Sequence, residues 1–217
     1  MPAPCRADSA RRILAVLAIG SALAGCETAP GPPSPSLARS VAATASPEPA
    51  ELAALRARPL RLPTVAAGDP CPVTRPARLD PPPPVGHSLG TGWALGHAPL
   101  FPDASFFNGD PVRLRVSTVA TRPGWYAAKA PWASRTGYLG WALIRTARLD
   151  GPGRARVELQ VADGTRRISD ALPVNVQADW QFWPGTTEVT GAGCYAYQVD
   201  GSGFTEMIVF RAELASR

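Results

Sequence analysis

Between residues 112 and 210 apolar and polar side chains alternate in short runs. Val112, Leu114 and Val116 alternate with Arg113, Arg115 and Ser117, and Ala155, Val157, Leu159 and Val161 alternate with Arg154, Arg156, Glu158 and Gln160. A period of two is that of a strand with one face on a core, because successive Cβ atoms point to opposite sides. The second run leads into Ala162-Asp163-Gly164-Thr165, where Asp-Gly suits the positive φ angles of a tight hairpin turn. Tyr195, Tyr197 and Val199 lead into Asp200-Gly201-Ser202-Gly203, and 204–210 runs back, which predicts a second hairpin. Further strands are predicted over 141–148, 180–183 and 187–190. No amphipathic helix interrupts them. The pattern is that of an all-β sandwich or barrel.

Upstream the pattern changes. Arg6, Arg11 and Arg12 precede an apolar stretch over 13–24, the length of a signal-peptide core and too short to span a bilayer as a mature helix. It ends in Leu23-Ala24-Gly25-Cys26, which resembles the lipobox of bacterial lipoproteins. The resemblance implies that 1–25 is a signal peptide, that Cys26 takes a diacylglyceryl group, and that the chain is anchored to a membrane outside the cytoplasm. Residues 26–67 are rich in Pro, Ala, Ser and Thr and hold no aromatic ring, so a disordered linker is expected. As a flexible coil its ends would lie roughly 35 Å apart. Within it, PAELAALRAR (49–58) makes two or three helical turns with Leu52 and Leu55 on one face. Too short to stand alone in water, it is expected as a transient helix in a spacer. The competing reading is a membrane- or partner-docking helix using Arg56, Arg58 and Arg61.

The six Trp, four Tyr and six Phe all lie between Trp93 and Phe210. Aromatic rings supply the largest buried areas, so the folded domain is placed at 68–217. With 25 Pro and 20 Gly, a helical bundle is excluded, since helix interiors tolerate neither well. The formal charge of +5 falls to +3 once Arg6, Arg11, Arg12 and Asp8 leave with the signal. There is no dense Lys/Arg run, which argues against nucleic acid as a partner.

Cys71 and Cys194 remain after Cys5 and Cys26 are accounted for. In an oxidising compartment they read as one disulfide, closing a loop of 123 residues. In the chain-entropy picture such a loop is worth at most about 5 kcal/mol. The alternative, free or metal-binding thiols, lacks a CxxC spacing or a nearby histidine. Gly193-Cys194-Tyr195-Ala196-Tyr197-Gln198-Val199-Asp200-Gly201, then Phe204-Thr205 and Ile208-Val209-Phe210, resembles the C-terminal signature of uncharacterised bacterial lipoproteins with immunoglobulin-like domains. Gly140-Trp141-Ala142-Leu143-Ile144-Arg145, Leu149-Asp150-Gly151 and Leu100-Phe101-Pro102 fit the same group. The resemblance spans about 85–212 and implies an immunoglobulin-like β-sandwich, with no activity to carry over. Tyr195 also resembles the tyrosine corner of such sandwiches. Here the cysteine precedes that tyrosine, so the disulfide need not be the usual one between sheets.

Chemistry is sparse. His87 and His97, with Asp103 and Asp110, match no metal-ligand spacing, and solvated loop histidines are expected. The glycines of 90–96 lack a dinucleotide fingerprint and read as a short strand with bends. No SxxK or HExxH motif occurs; no catalytic residue, metal or cofactor is assigned, and a hydrolase of envelope polymers stands last among the readings. The aromatic usage carries the functional expectation: Trp125, Trp132, Tyr138, Trp180 and Trp183 are candidates for a ligand platform, against a reading in which they are core. The sequence thus predicts a non-enzymatic interaction module at the cell envelope, meeting an envelope protein. The alternative is a carbohydrate- or peptidoglycan-binding module using exposed tryptophans.

Overall fold

The computed structural model describes residues 48–66, 68–84, 92–109, 112–161 and 163–215, all within the compact unit Ser46–Arg217. The signal peptide, Cys26, His87 and Asp110 lie outside the described residues. In chain order the elements are α1 (Ala50–Ala57), β1 (Pro76–Arg78), β2 (Trp93–Leu95), β3 (Leu100–Pro102), a 3-10 turn (Ala104–Phe106), β4 (Arg113–Val116), β5 (Ala120–Arg122), β6 (Trp125–Lys129) and β7 (Trp132–Ser134). There follow β8 (Gly140–Arg148), β9 (Ala155–Gln160), β10 (Arg166–Ser169), β11 (Ala171–Val176), β12 (Gln181–Trp183), β13 (Gly185–Val189), β14 (Gly193–Gly201) and β15 (Phe204–Leu214). Both predicted hairpins form, β9 with β10 and β14 with β15. The second turns on Gly203 at φ +83, a backbone angle that glycine adopts without steric cost.

Two five-stranded sheets, ordered β11-β8-β14-β15-β4 and β10-β9-β13-β6-β5, pack as an all-β sandwich. The inward sets of the predicted strands meet in one core: Val157 and Leu159 of β9 and Val189 of β13 on one side, Tyr195, Tyr197, Val199, Ile208 and Phe210 on the other. Trp132 stands edge-on to Tyr197 at 5.1 Å, and Tyr197 stacks on Phe210 at 4.6 Å. Such pairs add about 0.5–1.5 kcal/mol each beyond area burial. The Thr187 and Tyr197 hydroxyls meet at 2.6 Å across the sheets, fully buried. A three-stranded sheet, β12-β7-β3, adds Leu100, Trp132 and Trp183 to this core, while Phe101, Ala133 and Phe182 turn to a second, smaller cluster with Leu79 and Ala94.

Tyr195 donates its hydroxyl to the Gly191 carbonyl at 2.9 Å, the contact that defines a tyrosine corner. β4 runs parallel to β15, and β11 returns beside β8 only after β9 and β10 have been laid down in the other sheet. Next to the corner, the Arg148 guanidinium lies 5.6 Å from the Tyr195 ring and donates to Asp150, and Asp150 accepts the Cys194 N–H.

Strand β14 is buried along its whole length, not only at alternate positions. Its outward residues Cys194, Ala196, Gln198 and Asp200 are covered by residues 48–74. This corrects the expectation of a disordered linker up to residue 67 for the part from 48 onward. Leu52 and Leu55 of α1 are buried against Leu143, with Trp141 and Ala171 beside them. Packing supplies the stability that so short a helix lacks by itself. The chain then runs extended. Arg58 donates to the Gly201 and Phe204 carbonyls, and Arg145 donates to the Arg58 carbonyl at 2.7 Å. Arg61 N–H donates to Gln198 Oε1 at 2.6 Å. Leu62 and Val65 pack on Ala196 and Val209. The disulfide Cys71–Cys194, with Cα atoms 5.5 Å apart, fastens the strap to β14, and Thr74 bonds Val209 through both its backbone and its hydroxyl.

Under the strap Asp200 is fully buried. It accepts from Arg145 at 2.6 Å, from Thr205 at 2.7 Å and from Gln198 at 3.1 Å. A buried carboxylate persists only when paired and hydrogen-bonded in this way.

Candidate ligand-binding groove

The five rings singled out in the sequence do not form one platform. Trp132 is fully buried and Trp183 is 7% exposed, both in the main core. Tyr138 is half-buried: its hydroxyl donates to the Trp141 carbonyl at 2.6 Å, accepts from Ser202 N–H at 3.0 Å, and its ring packs edge-on to Phe204. Trp180 packs against the cluster of Leu79, Ala94 and Phe101. Trp125 is half-buried on β6 beneath the Arg156 guanidinium, 3.8 Å from the ring centre. The physical reason is volume: rings of this size are the cheapest way to fill a small core, and the sandwich uses them so. The exposed tryptophan is Trp93, at 43%, which the sequence reading passed over. It borders an open apolar groove of about 410 Å³ with Pro76, Ala104 and Ser105. A single hydroxyl gives that groove little to orient a ligand with.

Of the four residues weighed as a metal cluster, His97 and Asp103 are among the described residues. His97 is exposed, with its backbone N–H on Glu206, and Asp103 is buried with Oδ1 accepting from the Ser105 N–H and hydroxyl. No group of three or more metal-ligating side chains converges there.

A second groove, of about 340 Å³, is richer in chemistry. It follows β11, an edge strand of its sheet, and is lined by Trp141, the exposed margin of Trp183, Asn175, Gln177 and Gln181. Asp163 and Arg167, from the turn and the return strand of the β9–β10 hairpin, complete the polar lining. Their placement follows from local structure. Asp163 Oδ1 accepts the Thr165 hydroxyl and the Thr165 N–H. Those two bonds, in that order, and the nearby Arg167 charge hold its carboxyl below the ordinary range, so it is an acceptor at neutral pH. The Gln177 N–H donates to Gln181 Oε1 at 2.8 Å, which orients Gln181 with its amide nitrogen as a donor. Pro173, midway along β11, has no N–H to offer an added strand. The groove therefore offers a ligand the half-buried Trp141 and the exposed margin of Trp183, amides for paired donors and acceptors, and one group of each charge.

No protein-family profile and no curated protein matches the chain. A solved structure of the N-terminal domain of PorA is similar over 50% of this chain and 96% of that chain, at 13% identity and a TM-score of 0.28. A likeness of that size carries nothing into the function.

Proposed function

We propose that the protein is a lipid-anchored, non-enzymatic binding module of the cell envelope, and that its ligand is a saccharide taken in the β11 groove. The observation that carries this is the lining of that groove, the half-buried Trp141 and the margin of Trp183 among three amide-bearing residues, on an edge strand that Pro173 blunts against strand addition by a peptide. Sugars present both apolar ring faces and dense hydroxyls, which indoles and amides match. The lining includes one carboxylate, Asp163, whereas glycoside hydrolysis uses a pair flanking the bond; this supports binding over cleavage. The anchor rests on Leu23-Ala24-Gly25-Cys26, and the modest oxidising signature of the disulfide accords with it.

Tryptophan emission titrated with solubilised cell-wall saccharides tests the groove. A saturable change is expected in the wild type, and its loss in Asn175→Ala and Gln177→Ala, both exposed positions that leave the core intact. A flat titration across the saccharide panel overturns the reading. For the anchor, labelling with a radioactive fatty acid is expected in the wild type and absent in Cys26→Ser.

A further inference from the structure

The sheet face away from the strap carries a second cluster. Tyr126, Ala128, Val157, Leu159 and Val189 point into the core, so by strand register Trp125 of β6, Glu188 of β13 and Arg156 of β9 share the outer face. The Arg156 guanidinium lies over Trp125, 3.8 Å from the ring centre, with that of Arg154 at 6.0 Å from the same ring. Arg156 Nε at 2.6 Å and an Arg122 terminal nitrogen at 3.7 Å share one oxygen of the buried Glu188, whose other oxygen accepts from Thr121. Arg154 reaches only Asp170, at 3.3 Å, with the two side chains 70% and 55% exposed, a pairing that counts for little in water. One Arg156 terminal nitrogen is buried with no hydrogen-bond partner. Two guanidinium groups thus share one buried carboxylate, the third pairs with Asp170 beside the same indole, and the three arginines carry one positive charge more than the two carboxylates.

We infer that Arg122, Arg154 and Arg156, seated over Trp125, bind a phosphate group carried by a phosphodiester-linked polymer of the envelope. Guanidinium forks match phosphate oxygens in pairs, and stacking on an indole fixes one fork before the ligand arrives. A polymer fits better than a lipid surface. A membrane-binding face offers its aromatic rings to the acyl region, and here the Trp125 ring is capped by Arg156. The site lies on the other sheet from the strap and is independent of the saccharide groove.

The test uses the full chain in detergent micelles, titrated calorimetrically with a glycerol-phosphate oligomer, with inorganic phosphate, and with vesicles of phosphatidylglycerol or phosphatidylcholine. Expected are binding of the oligomer that weakens with added salt and a loss of about tenfold or more in the Arg122→Gln, Arg154→Gln double variant, the scale of losing one or two charge-assisted contacts. Those side chains are 47% and 70% exposed, so the thermal midpoint is expected to stay unchanged. Unaltered affinity in the double variant overturns the inference, as does failure of the oligomer to bind. Binding to phosphatidylglycerol vesicles without binding of the soluble oligomer also overturns it, and makes the face a membrane contact instead.

Discussion

Burial pushes the Tyr197 phenol well above its ordinary value, with the Thr187 hydroxyl opposing only in part. The folded state therefore keeps this proton while the unfolded chain releases it at about pH 10. Stability is complete below that value and falls as the pH rises beyond it; tyrosinate absorbance and loss of β-sheet circular dichroism are expected to appear together. Tyr197→Phe leaves the Thr187 hydroxyl buried without its partner, at a cost of about 1–3 kcal/mol in denaturant unfolding. Adding Thr187→Val restores part of the loss, because two apolar groups face each other more cheaply than one orphaned hydroxyl does. Asp150 works in the opposite direction. Burial acts to raise its pKa, but the bonds from Arg148 and from Cys194 N–H outweigh it and the net shift is downward. Its contribution is present above the ordinary carboxylate range and disappears as the pH falls through the lowered value. Asp150→Asn is expected to flatten the acid limb of a plot of melting temperature against pH.

At the scale of elements, the strap makes the sharpest claim. Leu55 is 1% exposed, so Leu55→Ala is expected to cost about 2–5 kcal/mol, where the same change in a free spacer would cost nothing. Denaturant unfolding of the two proteins decides between them. The strap was hidden from sequence reading by its composition: Pro, Ala and Arg supply few apolar side chains, and the surface they cover lies some 140 positions away, at Gln198 and Gly201. The hairpins of β9–β10 and β14–β15 were legible, because turn residues and alternation are local signals. β11 was not. Leu172, Val174 and Val176 alternate, but Pro173 between them argues against a central strand, and the structure reconciles the two by placing β11 on an edge. The groove was illegible for the same reason. Its amides come from β11, the segment after it and β12, its tryptophans from β8 and β12, and no spacing along the chain announces that meeting. The disulfide could be read because elimination left two cysteines, and the place of Cys194 before Tyr195 already argued against the usual bridge between sheets; that it would fasten a strap over the outside of β14 could not be read.

The whole molecule has two unlike broad faces. One sheet is roofed by the chain's own N-terminal segment over a buried Arg145–Asp200 pair; the other presents arginines. Replacing both Cys71 and Cys194 by serine is expected to lower stability by about 2–5 kcal/mol and to make trypsin cut first at Arg61, since Pro59 protects the bond after Arg58, with the sandwich surviving as a protected fragment on a denaturing gel. Where the bridge sits also decides how the molecule takes a pull from its N-terminal side. Tension would first peel away α1 and the extended run behind it, paying out about 80 Å of chain at ~3.5 Å per residue between residues 48 and 71. The slack ends at Cys71. From that point the load passes through a covalent bond into β14, which has a neighbour on either side, so further extension must work against the interior of the sheet. The roof acts as a shock absorber with a hard stop.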